Sequence, residues 1–271
     1  MIIIGNCHEI NGGAEVLNDE VKNIWNANAE FWDSRMGEGN AFHKTLIEPM
    51  QLKMLDIKPG QYILDVACGN GQFARKMASL GAKVTAVDFA EKFIRIARSK
   101  SSPEIDYRMI DASSEADLNK LSDMTFDSIV CTMALMDMEN IDTLIGRLPK
   151  ILKNRGKFVF SVLHPCFNSG EFVLVHERDE SGTEITDRYS VKVSNYLIEK
   201  TSLGIGMIGQ PKSQYYFHRP ISILLKCCFK AGFVLDACEE PSFTSTGNTI
   251  SGNDIFFKYI PPVIVCRLRL L

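Results

Sequence analysis

The stretch Ile63-Leu64-Asp65-Val66-Ala67-Cys68-Gly69-Asn70-Gly71 decides how this chain is read. Tyr62 to Val66 is a short apolar run, of the kind that forms a strand buried on both faces. It ends in a turn with two glycines, which accept backbone conformations closed to other residues and let a ligand come close. A helix is predicted next, Gln72 to Leu80, stopped by Gly81. The pattern then repeats. Lys83 to Asp88 reads as a strand, and the helix after it carries Phe93, Ile96 and Ala97 on one face. Ile105 to Ile110, Phe126 to Cys131 and Phe158 to Leu163 read as further strands. A helix from Ile141 to Leu152 carries Pro149, which should kink it or end it early. This alternation predicts an α/β fold: a doubly wound, mostly parallel sheet with helices on both faces.

Working outward, residues 15–58 read as a helical N-terminal cap. Val21, Ile24 and Trp25, and later Leu46, Met50, Leu52, Met54 and Leu55, recur at helical spacing, with a polar, glycine-containing break over 33–40. Residues 168–214 interrupt the α/β rhythm with polar alternation and five glycines, so an inserted extended or hairpin lid is expected there. Residues 215–271 hold a helix, Ile221 to Ala231, and two strands, Phe233 to Cys238 and Asp254 to Leu270. Pro261-Pro262 interrupts the last, which predicts a bulge or an edge position. A single domain over 1–271 is expected, with 60–166 as its ligand-binding core.

Composition narrows the classes. The 271 residues carry 33 acidic and 30 basic side chains, a formal net charge of −3, with 45% hydrophobic residues. These are globular proportions, and they give no basic surplus for sequence-independent nucleic-acid binding. No apolar run approaches the roughly 20 residues of a membrane helix. Met1-Ile2-Ile3-Ile4-Gly5 lacks the basic region of a signal peptide. The 8 cysteines show no C-x-x-C spacing and several sit in apolar runs, so buried thiols in a reducing cytoplasm are expected, with no metal site.

In a doubly wound sheet ligands bind at the carboxyl ends of the strands. Three successive predicted strands end in or near an acid: Asp65, Asp88 and Asp111. Asp88 is placed to accept from both hydroxyls of a ribose, and Asp111 from an exocyclic amine. Gly69-Asn70-Gly71-Gln72-Phe73-Ala74 formally matches the dinucleotide pattern G-x-G-x-x-G/A. Asp65 argues against that reading, because its carboxylate would face a pyrophosphate. S-adenosylmethionine has no phosphate and carries an ammonium and a sulfonium, so an acid at 65 favours it electrostatically.

Those residues, with Val84-Thr85-Ala86-Val87-Asp88 and Asp111-Ala112, resemble the class I S-adenosylmethionine-dependent methyltransferases, strongly over about 60–166. The resemblance implies a Rossmann-like seven-stranded sheet in the order 3-2-1-4-5-7-6, strand 7 antiparallel. It also implies S-adenosylmethionine as cofactor and S-adenosylhomocysteine as product. By the same resemblance Ala67, Cys68, Gly69 and Gly71 line the methionine portion, Asp65 holds its amino end and Met133 touches it. Asp88 takes the ribose, Phe89 packs on the adenine, and Asp111 and Ala112 meet its edge. Two departures stand out. Ala67 replaces the first glycine of D-x-G-x-G-x-G, and Leu152-Lys153-Asn154-Arg155-Gly156 replaces the usual L-K-P-G-G.

Methyl transfer needs alignment and exclusion of water, and a base only where the acceptor must lose a proton. His164, Asp137 and His218 are the candidates for acceptor contact or base, at the ends of strands four and five and in the aromatic run Tyr215 to Pro220. Trp32 and Arg35, with Trp25, Phe31 and Met36, are candidates for a cap over the cofactor. Cys131-Thr132-Met133-Ala134 lacks the D/N-P-P-Y/F mark of DNA amino-methylating enzymes. The short N-terminal segment and the single inserted lid suit a closed pocket, so a small-molecule acceptor is expected. An RNA or protein acceptor, an NAD-dependent oxidoreductase and a non-catalytic binding module are the competing readings.

Overall fold

The computed structural model describes residues 8–9, 14–243 and 252–270. A two-residue strand, β1 (His8–Glu9), is followed by α1 (Ala14–Met36), a π-helical turn (His43–Ile47) and α2 (Glu48–Leu55). The α/β core then runs β2 (Tyr62–Val66), α3 (Gln72–Ser79), β3 (Lys83–Asp88), α4 (Glu91–Lys100), β4 (Asp106–Met109), α5 (Glu115–Leu118) and β5 (Phe126–Thr132). A 3-10 turn (Leu135–Asp137), α6 (Asp142–Ile151) and β6 (Leu152–Leu163) complete it. The inserted segment forms β7 (Glu171–Asp179), β8 (Thr186–Ser194), β9 (Lys200–Gly204) and β10 (Gln214–His218). The chain closes with α7 (Ile221–Lys230), β11 (Phe233–Glu239), a 3-10 helix (Gly252–Lys258) and β12 (Val263–Leu270).

The central sheet has seven strands in the order β11-β12-β6-β5-β2-β3-β4. Counted along the core strands from the other edge, that is 3-2-1-4-5-7-6, and β12 runs antiparallel to both neighbours. Strand periodicity explains the double winding, since successive side chains point to opposite faces. Leu64, Ile129, Phe158 and Phe160 feed one core, with α5, α6 and α7. Ile63, Val130 and Val159 feed the other, with α2, α3 and α4.

Two expectations need correction. The last strand does not begin at Asp254: residues 252–258 are helical, and the ladder starts only after Pro262. Nor do Pro261 and Pro262 mark an edge or a bulge, because β12 lies inside the sheet between β11 and β6. The prolines precede the ladder, where a missing N–H costs nothing, and the Pro262 carbonyl accepts from His164 N at 2.9 Å. The bulge falls in β11, between Leu235 and Ala237. Tyr215 to His218, the aromatic run that leads into α7, form the fully buried strand β10, paired with β9.

Candidate active site

The ends of β2, β3 and β5 open into one cavity of about 1440 Å³, counting its mouth. At the turn after β2, Ala67, Gly69 and Gly71 all have positive φ, at 56°, 54° and 75°. Cys68 N donates to Val87 O at 3.0 Å, which ties the turn to β3. A Cβ on Gly69 would meet nothing within 4 Å, so this residue opens toward the cavity. A Cβ on Gly71 would lie 2.4 Å from Tyr107 Oη and 2.9 Å from Ala97 Cβ. Helix packing therefore demands glycine at 71, and of the four turn residues Ala67, Cys68 and Gly69 line the cavity whereas Gly71 does not.

The three acids meet as expected. Asp88 is fixed by its own loop: Oδ2 accepts from Gly69 N at 2.9 Å and Oδ1 from Ala90 N at 2.8 Å. Burial raises its pKa to about 6, with the charge of Asp111 adding to the effect and the Ala90, Gly69 and Phe89 amides opposing it. Asp111 accepts from Asn18 Nδ2 at 2.9 Å and from Ser113 N at 2.8 Å. Asp65 differs. It is buried, and neither carboxylate oxygen has a partner. Burial, then the charge of Asp88, pushes its pKa to about 8. A buried carboxyl without a partner is expensive unless protonated or met by a cation. The cluster thus fits a ligand with a positive group and no phosphate, which S-adenosylmethionine satisfies and a dinucleotide does not.

Phe89, Ala112, Met133 and Trp32 also line the cavity. Met133 takes φ 53° and donates its N–H to Ser161 O at 2.9 Å, an uncommon backbone held by a second strand. Trp32 packs edge-on to Trp25 with centroids 5.3 Å apart, and its buried Nε1 has no partner. Asp137 sits on the 3-10 turn after β5 and lines the cavity, buried, with Oδ1 unpartnered. Burial holds its carboxyl well above the usual range, partly opposed by Gln214.

Besides Gly71, the expected contributors His164, His218, Arg35 and Phe31 lie outside the cavity lining. Strand alternation turns Leu163 into the cavity and His164 away from it. His164 Nε2 lies 2.7 Å from Glu240 Oε1, and Nδ1 accepts from Cys166 N at 3.1 Å. His218 is held between Ser169 Oγ, at 3.0 Å from Nδ1, and the Tyr196 carbonyl, at 2.8 Å from Nε2, so it anchors the inserted segment. Arg35 lies with its guanidinium 5.4 Å from the Phe31 ring centroid. The polar groups that do reach the cavity include His43, Gln72 and Gln214, none singled out by sequence. His43 sits on the π-helical turn, 2.8 Å from Gln72 Nε2 and 3.7 Å from Glu48. Burial, with Lys44 nearby, lowers its pKa to about 4, so it is a neutral imidazole at pH 7. A lone histidine in an amphipathic stretch gives no periodic signal of this. Asn70, also unmarked, clamps the turn to the end of α1 through Asp33 Oδ1 and the Gly37 carbonyl, both at 3.0 Å.

Residues 64–160 match the family model described as a methyltransferase domain. The chain is 34% identical over 143 residues to a ubiquinone biosynthesis O-methyltransferase of Idiomarina loihiensis, covering 50% of this chain and 56% of that relative. It thus spans about half the length of the curated relatives it matches. A solved S-adenosylmethionine-dependent methyltransferase from Mesorhizobium loti superimposes with a TM-score of 0.61 at 22% identity, over 82% of this chain and 96% of that one. The glycopeptide N-methyltransferase MtfA, complexed with S-adenosylmethionine, gives 0.52 at 14% identity, over 82% and 92%. Residues 64–160 are thus similar to a methyltransferase domain, and the chain has the fold of the solved S-adenosylmethionine-dependent methyltransferases.

Proposed function

We propose that this chain transfers a methyl group from S-adenosylmethionine to a small-molecule acceptor. The observation that carries the reading is Asp65, whose two buried oxygens have no partner at the mouth of a glycine turn. In this reading Asp65 pairs with the ligand's ammonium, Asp88 accepts from the ribose hydroxyls and Asp111 accepts from the adenine amine. Phe89 and Ala112 flank the adenine, and Ala67, Cys68, Gly69 and Met133 border the methionine portion. When bound, S-adenosylmethionine supplies a methyl carbon on a positively charged sulfur. The chain's part is alignment and exclusion of water. Residues 15–58 cap the site and 168–214 act as its lid. Asp137 and His43 are the groups on the acceptor side that can hold a proton, replacing His164 and His218 in that role. No described helix is long and apolar enough to cross a membrane; we place the protein in the cytoplasm on its cysteine usage.

Titration calorimetry with S-adenosylmethionine, S-adenosylhomocysteine and NADH tests this. Both adenosyl ligands should bind, and Asp88→Ala should weaken them by about 10- to 100-fold, as expected for losing charge-assisted hydrogen bonds. Binding of NADH alone would replace this reading with the oxidoreductase one.

A further inference from the structure

Asp65, Asp88 and Asp111 are absorbed by the cofactor reading, and Asp137 is left over. It sits on a different element, the 3-10 turn after β5, beside β10. It is 8% exposed, lines the cavity and keeps Oδ1 without a partner. Among the described residues the lining holds four aspartates and no lysine or arginine. The wall near Asp137 is otherwise apolar or neutral, with Met136, Met138, Tyr216 and Gln214. A buried carboxyl in such a wall keeps its proton until a positive group meets it, and a cationic ligand is what draws out its charged form. An anionic acceptor would be repelled. A neutral hydroxyl would donate one hydrogen bond and leave the charge uncompensated. A protonated amine supplies both the hydrogen bond and the charge.

We propose that the methyl acceptor is a small molecule bearing an amine, bound through that amine by Asp137, which also takes its proton. This rests on the methyl-transfer reading above. The bound ammonium passes one N–H proton to the Asp137 carboxylate. The freed lone pair bonds to the methyl carbon while the electrons of the carbon–sulfur bond stay with sulfur. The proton on Asp137 goes to solvent when the methylated amine leaves. Burial favours the step, since it makes the carboxyl a better proton holder than an exposed aspartate.

The test measures binding to the protein saturated with S-adenosylhomocysteine. Matched probes share a skeleton: phenethylamine, phenethyl alcohol and hydrocinnamate, then cyclohexylmethylamine, cyclohexylmethanol and cyclohexanecarboxylate. The amines should bind at least 10-fold more tightly than their alcohols, and the carboxylates weakest. Asp137→Asn, and Asp137→Ser as a second variant, should erase the amine preference while S-adenosylhomocysteine affinity changes by less than about threefold. Equal binding of amine and alcohol, preference for the carboxylate, or an amine preference that survives both substitutions would each overturn the proposal. An oxygen acceptor would show itself as the first of these. Failure of the wild-type protein to bind S-adenosylhomocysteine would instead overturn the cofactor reading on which the proposal stands.

Discussion

Ala67 carries a conformation that its side chain resists. At φ 56° it lies in the left-handed region, where an L-residue with a Cβ is strained by about 1–2 kcal/mol. Replacing it with glycine removes that strain and adds back about 0.4–1 kcal/mol of unfolded-state entropy. Ala67→Gly should therefore stabilise the protein by about 0.5–1 kcal/mol, seen as a rise of roughly 1–4 °C in melting temperature. A fall would mean that the alanine methyl contributes packing the turn needs. The same scale separates what was readable from what was not. Asp65, Asp88 and Asp111 were legible because each ends or follows a strand, and strand ends converge in this topology. His164 was misplaced because a one-residue step along a strand reverses a side chain's direction. Gly71 was assigned to the ligand, but its missing Cβ answers to Tyr107 and Ala97, contacts of long sequence separation.

At the scale of elements, the N-terminal helix is fastened to the cofactor turn by a small polar network. Asn70 bonds Asp33 and Gly37, Lys100 reaches Asp33 at 2.5 Å, and Arg75 reaches Glu38 at 2.6 Å. The ion pairs are partly exposed and contribute little singly. The part-buried amide of Asn70 is the element that closes the network. Asn70→Ala should speed amide hydrogen exchange over residues 33–40 and weaken S-adenosylhomocysteine binding several-fold, with the central sheet's protection unchanged. If exchange in that segment is unaltered, the clamp is not what holds the cap. The helical periodicity of 15–58 made the helices of this segment predictable. Its docking was not, because Asn70 and Asp33 lie far apart in sequence and neither breaks any local rule. Pro261-Pro262 teaches a similar lesson. A proline's missing N–H bars it from a central ladder, but whether it marks an edge or a strand's beginning depends on which strands flank it.

For the whole molecule, the acidic cluster makes stability a function of pH. A carboxyl whose folded pKa lies above its unfolded value of about 3.9 keeps a proton that the unfolded chain has lost. Asp65, at about 8, and Asp88, at about 6, both behave so. They impose no penalty below about pH 4, and the penalty grows as pH rises, to about 6 for Asp88 and about 8 for Asp65. The ligand-free protein should therefore lose more stability between pH 5 and pH 8 than its Asp65→Asn variant does, measured by urea unfolding at each pH. Equal losses would show that Asp65 has a partner in solution. The amino-acid sequence by itself determined the doubly wound sheet, the helical character of residues 15–58, the extended insertion and the three acids at the strand ends, because hydrophobic period and turn chemistry act over a few neighbouring residues. Only the tertiary structure decided that Asp137, His43 and Gln214 meet in the cavity while His164, His218 and Arg35 stay out of it. Those placements depend on contacts between residues tens to more than a hundred positions apart, and no local pattern encodes them.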